Sequence, residues 1–95
     1  MIVRIVKMTF QEEKLQEFYS LFNTVQSKIA GFHGCSSLKL FSDIADKTVI
    51  FTYSEWSSEQ DLNFYRNSEL FKETWAKTKK LFKAAPEAWS VKNAF

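Results

Sequence analysis

One cysteine, one histidine, one proline and two glycines are all that 95 residues contain of these types, and each shortage removes a class of chemistry. Cys35 alone can form neither an intramolecular disulfide nor a thiolate metal site, which fits a reducing cytoplasm. Two glycines cannot build a glycine-rich phosphate cradle, and no spacing of residues supports a metal site or a nucleophile triad. The net charge of +2 is close to neutral. Lys72, Lys77, Lys79, Lys80 and Lys83 gather around the end of one helical segment, where cations favour the negative end of the helix dipole. They read as a solvated helix face, and no nucleic-acid partner is expected. No apolar run approaches the ~18 residues of a membrane span. Arg4 and Lys7 break the apolar N-terminus, so neither a membrane anchor nor a signal-peptide core is expected.

Aromatic rings, by contrast, are abundant: ten Phe, three Trp and three Tyr make up 17% of the chain. A single domain spanning residues 1–95 is all that this length allows. It holds more ring than a small core ordinarily takes, so some rings should line a cavity or an interface. MIVRIVKMTF is β-branched and reads as a strand. Thr9 and Glu12 have capping-box spacing, and Leu15, Phe18, Tyr19, Phe22, Val25 and Ile29 then recur at helical steps as far as a stop at Gly31. CSSLKLFSDI and KTVIFTYSEW read as two strands with a turn near 45–47. Ser57 and Gln60 again have capping-box spacing, before a short helix reaching Tyr65 or Arg66. Asn67 or Ser68 starts a second segment, with Phe71, Trp75, Thr78 and Phe82 on one stripe. EAWSVKNAF after Pro86 reads as the last strand. The order β-α-β-β-α-β predicts an α+β, ferredoxin-like fold: a four-stranded antiparallel sheet with its helices on one face.

An antiparallel sheet covered on one side should turn a polar face to water. This one does not. Ile2, Val6, Met8 and Phe10 share one face of the first strand, and Val3 and Ile5 the other. In the third strand Val49, Phe51 and Tyr53 oppose Ile50, Thr52 and Trp56, while Trp89 and Val91 share a side of the last. Whichever face the helices cover, an apolar patch remains, which predicts a homodimer packed sheet to sheet. Arg4, Lys7, Lys39 and Glu55 lie among these strands. They should pair at a rim or across the dimer, or else anchor a ligand.

Over residues 56–75, WSSEQDLNFYRNSELFKETW, the chain resembles the antibiotic biosynthesis monooxygenase (ABM) superfamily of dimeric α+β barrels. The matching features are the strand-ending Trp56, Ser58, the short helix Asp61–Arg66, Ser68, the second helix Leu70–Phe82, and the Gly34–Cys35 opening of the second strand. The resemblance implies a pocket between helices and sheet in each subunit. In the superfamily's cofactor-independent oxygenases a deprotonated phenol, anthrone or quinol itself passes an electron to O₂, so no cofactor is expected. It also implies a small aromatic molecule as the partner. The haem-degrading branch of the superfamily is set aside: Trp75 falls where its histidine ligand stands, and an indole has no lone pair free for iron. Asn63 matches that branch's Asn, and Tyr65 stands in place of its Trp.

On this reading Asn63 and Tyr65 polarise or protonate substrate oxygens, and Tyr19, Phe22, Phe51, Trp56 and Trp75 hold the ring. Trp75 is equally open to being plain core, and Asn63 and Tyr65 to being a surface amide and a satisfied core phenol. His33, in the GFHG loop, is the one side chain whose ordinary pKa suits acid–base work near neutrality; it could equally serve the turn alone. A non-catalytic small-molecule binder or stress-type accessory protein remains open beside the monooxygenase, as does an isomerase using His33 or Tyr65 as base.

Overall fold

Alternation along four strands sets the architecture. The computed structural model describes residues 1–95, with β1 at Ile2–Thr9, α1 at Leu15–Ala30, β2 at Cys35–Ser42, β3 at Val49–Trp56, α2 at Glu59–Arg66, α3 at Glu69–Lys79 and β4 at Glu87–Val91. The strands form one sheet in the order β2-β3-β1-β4, and every neighbouring pair is antiparallel. This is the ferredoxin-like arrangement, with α2 and α3 together filling the place of the second helix. No helix is long and apolar enough to cross a membrane.

Side chains of successive residues leave a strand on opposite faces, and the helices take the face carrying Met8, Phe10 and Ile50. Those three are almost fully buried and form one cluster with Leu15 and Phe18 of α1 and with Leu81 beyond α3. Phe10 and Phe18 stack with ring centres 4.3 Å apart, joining β1 to α1. Near the C-terminal end of α1, Ile29 is buried as well, so the apolar stripe of that helix is used along its length.

Several helix starts differ from the capping-box expectation. Thr9 caps nothing, because the sheet uses its backbone: it pairs with Val49, and its carbonyl accepts from the Lys83 N–H. The chain enters α1 through a 3-10 turn at Glu12–Lys14 with no side-chain cap. Gln11 instead donates its amide to the Phe82 carbonyl at 3.3 Å. At α2 the cap is Ser58, whose hydroxyl accepts from the Asp61 N–H at 3.1 Å; the Ser57 N–H is taken by the Gly34 carbonyl. Ser68 caps α3 in the same way, through the Phe71 N–H. Phe82 falls beyond α3 and bridges to Phe10, and β4 stops at Val91, short of the expected end. The β2–β3 connection is held by Asp43, whose carboxylate accepts from the Ala45 and Asp46 N–H groups at 2.9 Å each.

The other face of the sheet has no helix over it. Val3, Ile5, Phe51 and Tyr53 run across its middle, with Phe41, Trp89 and Val91 at the edges, the last three 50%, 44% and 43% exposed. Four of the five charged strand residues are settled on this face within one chain. Lys7 pairs with Glu87 at 3.7 Å, Glu55 accepts from the Tyr53 hydroxyl at 2.7 Å, and the Lys39 ammonium lies 5.7 Å from the centre of the Tyr53 ring. Arg4 points to the opposite, helix-covered side.

Gly34 fixes how the loop before β2 meets α2. Its φ of +87° is one that residues with a side chain rarely adopt, and an ideal Cβ there would stand 2.5 Å from the Asp61 Cβ. Gly34→Ala is expected to cost about 1–3 kcal/mol of stability, seen as a lower urea midpoint. Gly31→Ala, at φ −88°, should move that midpoint much less.

Candidate active site

The helices do not settle flat on the sheet. Between them lies a cavity of about 350 Å³, within the range of small-molecule sites. Its floor is the helix-facing side of the strands, including Val6, Met8, Thr52, Ser54 and Trp56. Phe22, Val25 and Ile29 of α1 make one wall; Leu62 and Tyr65 of α2 with Phe71, Thr74 and Trp75 of α3 make the other.

That second wall is a continuous run of rings. Trp56, fully buried, stacks on Tyr65 at 4.8 Å; Tyr65 meets Phe71 edge-on at 5.3 Å; Phe71 lies nearly parallel to Trp75 at 5.9 Å. Ring pairs of this geometry add about 0.5–1.5 kcal/mol each beyond the area they bury. Trp75 is therefore a wall of the cavity, half-buried, rather than a plug filling it. The Trp56 indole N–H is satisfied by the Ser54 hydroxyl at 2.9 Å, so Trp56 presents only an apolar surface.

Polar groups facing the space are few. Thr78 donates its hydroxyl to the Thr74 carbonyl and is spent. The Tyr65 hydroxyl has no hydrogen-bond partner within the chain. Burial, with a smaller contribution from Cys35, pushes the Tyr65 phenol up to about 12. At neutral pH it is a donor and not a base. Arg4 and Arg66 are the only ionised side chains in the lining, which includes no carboxylate, lysine or imidazole. Burial, and next the charge of Arg66, hold the Arg4 guanidinium below its ordinary value. No group of three His, Cys, Asp or Glu side chains is placed to hold a metal ion.

Of the residues singled out in the sequence, the fold brings Phe22, Trp56, Tyr65 and Trp75 to this cavity. It places four elsewhere. Asn63 is exposed on α2, about 200° around the helix from Tyr65. The His33 side chain is 84% exposed, with Nε2 3.7 Å from the Asp61 carboxylate. Phe51 is on the open face of the sheet, across from Phe41. Tyr19 packs on Phe18 at the edge of the core. Arg66 was not anticipated, because a cation in the last turn of a helix is already accounted for by the helix dipole. Arg4, one of the strand charges expected to pair or to anchor a ligand, is set by the alternation of β1 on the same face as Val6 and Met8, and it lines the cavity. The Cys35 thiol is pushed up by burial and bonds weakly to the Ser37 carbonyl.

The Tyr65 environment has a measurable consequence. Its folded-state pKa is raised, so the unfolded chain gives up this proton first as pH rises past about 10. Stability fully present below pH 10 is then lost towards pH 12, on the order of 2 kcal/mol for this group. Urea unfolding across that range should show the decline in wild type and a shallower one in Tyr65→Phe. Tyrosinate absorbance should show one of the three tyrosines ionising near 12.

Comparison with known proteins agrees with the fold. Residues 1–77 match the family described as antibiotic biosynthesis monooxygenase. No curated protein matches the sequence. Among solved structures, a conserved protein from Methanosarcina mazei Go1 superposes with a TM-score of 0.89 at 22% identity, over 96% of this chain and 91% of that one. An antibiotic biosynthesis monooxygenase superposes with a TM-score of 0.92 at 16% identity, over 99% of both chains. The Mycobacterium tuberculosis protein Rv0793 gives 0.90 at 13%, over 99% of this chain and 95% of that one. At such identities these likenesses show a shared fold.

Proposed function

The chain belongs to the antibiotic biosynthesis monooxygenase family, and from that premise we propose that its cavity carries out cofactor-independent oxygenation of a flat aromatic of the phenol, anthrone or quinol type. One observation carries the reading: a space of about 350 Å³ walled by stacked rings, into which a single phenol, Tyr65, brings an unpartnered hydroxyl. A planar substrate lies between Phe22 and the Trp56–Tyr65–Phe71–Trp75 wall. Tyr65 donates a hydrogen bond to the substrate oxygen and stabilises the charge that grows there when a proton leaves to water. The anion passes an electron to O₂, a C–O bond forms, and the hydroperoxide loses water. For an anthrone the balance is anthrone plus O₂ giving anthraquinone plus water. The electrons come from the substrate, so the protein need only bind, orient and stabilise.

A second reading is favoured by the absence of any carboxylate or imidazole base from the lining: a barrel that binds its aromatic without turning it over. Oxygen consumption with an anthrone and quinol panel, no cofactor added, separates the two. Oxygenation predicts uptake above buffer and a loss of roughly 10²-fold in kcat for Tyr65→Phe, the scale of removing one oxyanion donor. Uptake no faster than buffer for the whole panel leaves the binding role. Asn63→Ala decides the part of that outward amide: an unchanged rate removes it from the chemistry, and a loss brings the α2 surface into the site.

The working unit in this proposal is a homodimer in the cytoplasm, where the unpaired thiol of Cys35 is at home. Val3, Ile5, Phe51, Tyr53 and Trp89 would meet their copies sheet to sheet, removing from water an apolar face that single chains rarely expose. Sedimentation at micromolar concentration should give twice the chain mass. Trp89→Glu, on the edge strand and outside the core, should shift the protein towards monomer without unfolding it.

A further inference from the structure

Arg4 and Arg66 raise a question that ring stacking does not answer. Arg4 is partly buried and Arg66 exposed, and neither has an acidic partner. The lysine that is paired is Lys7, with Glu87; Asp61 lies beside His33, and no acidic side chain borders the cavity. Arg4 donates one N–H to the neutral Ser90 hydroxyl at 2.9 Å, which leaves most of its five-donor fork free. Arg66 sits in the last turn of α2, exposed yet still part of the lining, so it marks the open end of the space. Both guanidiniums border the same space, and the charge of Arg66 adds to burial in holding the Arg4 guanidinium below its ordinary value.

We propose that Arg4 and Arg66 form an anion subsite at the open end of the cavity, and that the ligand is an aromatic carboxylate whose ring lies among Trp56, Tyr65 and Trp75 while its acid group lies between the two guanidiniums. This deepens the reading of the cavity as a substrate site and rests on it, but not on the oxygenation step. One carboxylate turns a repulsion into two attractions, and guanidinium offers it paired, charge-assisted hydrogen bonds. The apolar interior then selects for a flat ring attached to the acid, and the single orientation this enforces presents the far end of the ring system to the inner cavity. Inorganic phosphate has the charge but no ring, so it should bind only weakly.

The test is equilibrium binding followed by tryptophan fluorescence at low salt, with naphthalene-2-carboxylate, its neutral amide and inorganic phosphate as probes. The acid should bind about 10- to 100-fold more tightly than the amide, the scale of charge-assisted hydrogen bonds. That advantage should shrink as salt is added. Arg66→Gln, an exposed substitution that spares the core, should remove most of the advantage and leave amide affinity unchanged; Arg4→Gln should do the same if it folds. Equal binding of acid and amide, a preference that survives Arg66→Gln, phosphate binding as tightly as the acid, or no binding of the acid up to its solubility limit would each overturn the proposal. Naphthalene carboxylate is not an anthrone or quinol, so these results stand apart from the oxygen-uptake assay: an acid preference without uptake retires oxygenation and retains the subsite.

Discussion

Trp56 ends β3 with its indole wholly buried, its N–H held by Ser54 and its face against Tyr65. This stack ties α2 to the sheet at the height of two rings. The cavity depends on that spacing. Had small aliphatic residues stood here, α2 and α3 could have closed on the strands and the space would have become core. Instead the wall continues from Tyr65 to Phe71 and Trp75, rigid groups with few torsions that hold their separation without filling the interior. The same contact helps bury the Tyr65 ring, which pushes its phenol up to about 12.

The sheet divides the molecule's chemistry by face. Odd-numbered residues of β1 and β3 carry the bare apolar surface, and the charges on that face are met within the chain: Lys7 by Glu87, Glu55 by the Tyr53 hydroxyl, and Lys39 of β2 by the Tyr53 ring. Even-numbered residues carry the core at one end and the cavity at the other. Arg4 is the exception on that side, and its charge meets another cation rather than an anion. An oily face balanced within itself is suited to a second copy of the chain; a cation-lined pocket is suited to a small anion. The two surfaces lie back to back, so closing one leaves the other open.

Much of this was legible in the sequence because it is periodic. Steps of two in MIVRIVKMTF and VIFTYSEW placed each side chain on its face, and steps of three and four in Leu15–Ile29 gave α1 its stripe. Boundaries were less legible. The Thr9–Glu12 spacing mimicked a cap that the sheet outbid by claiming Thr9 for a ladder, and the Ser57–Gln60 spacing pointed one residue short of the cap, which is Ser58, while the Ser57 N–H goes to the Gly34 carbonyl. Phe51 and Tyr19 have the right chemistry for a pocket, but a face and a helix angle keep them from it.

What the sequence determined by itself was the order of elements, the one-sided helical cover and the doubly apolar sheet, since all three follow from local periodicity and short spacings; the family came from resemblance over residues 56–75 and from the match over residues 1–77. What only the tertiary structure decided was which rings share a cavity, that Asn63 and His33 lie outside it, and that Arg4 and Arg66 converge. Those are placements of residues far apart in the chain around one space, Arg4 and Arg66 being 62 positions apart. No local pattern encodes such a distance; it exists only once β1 and α2 are packed into one layer against another.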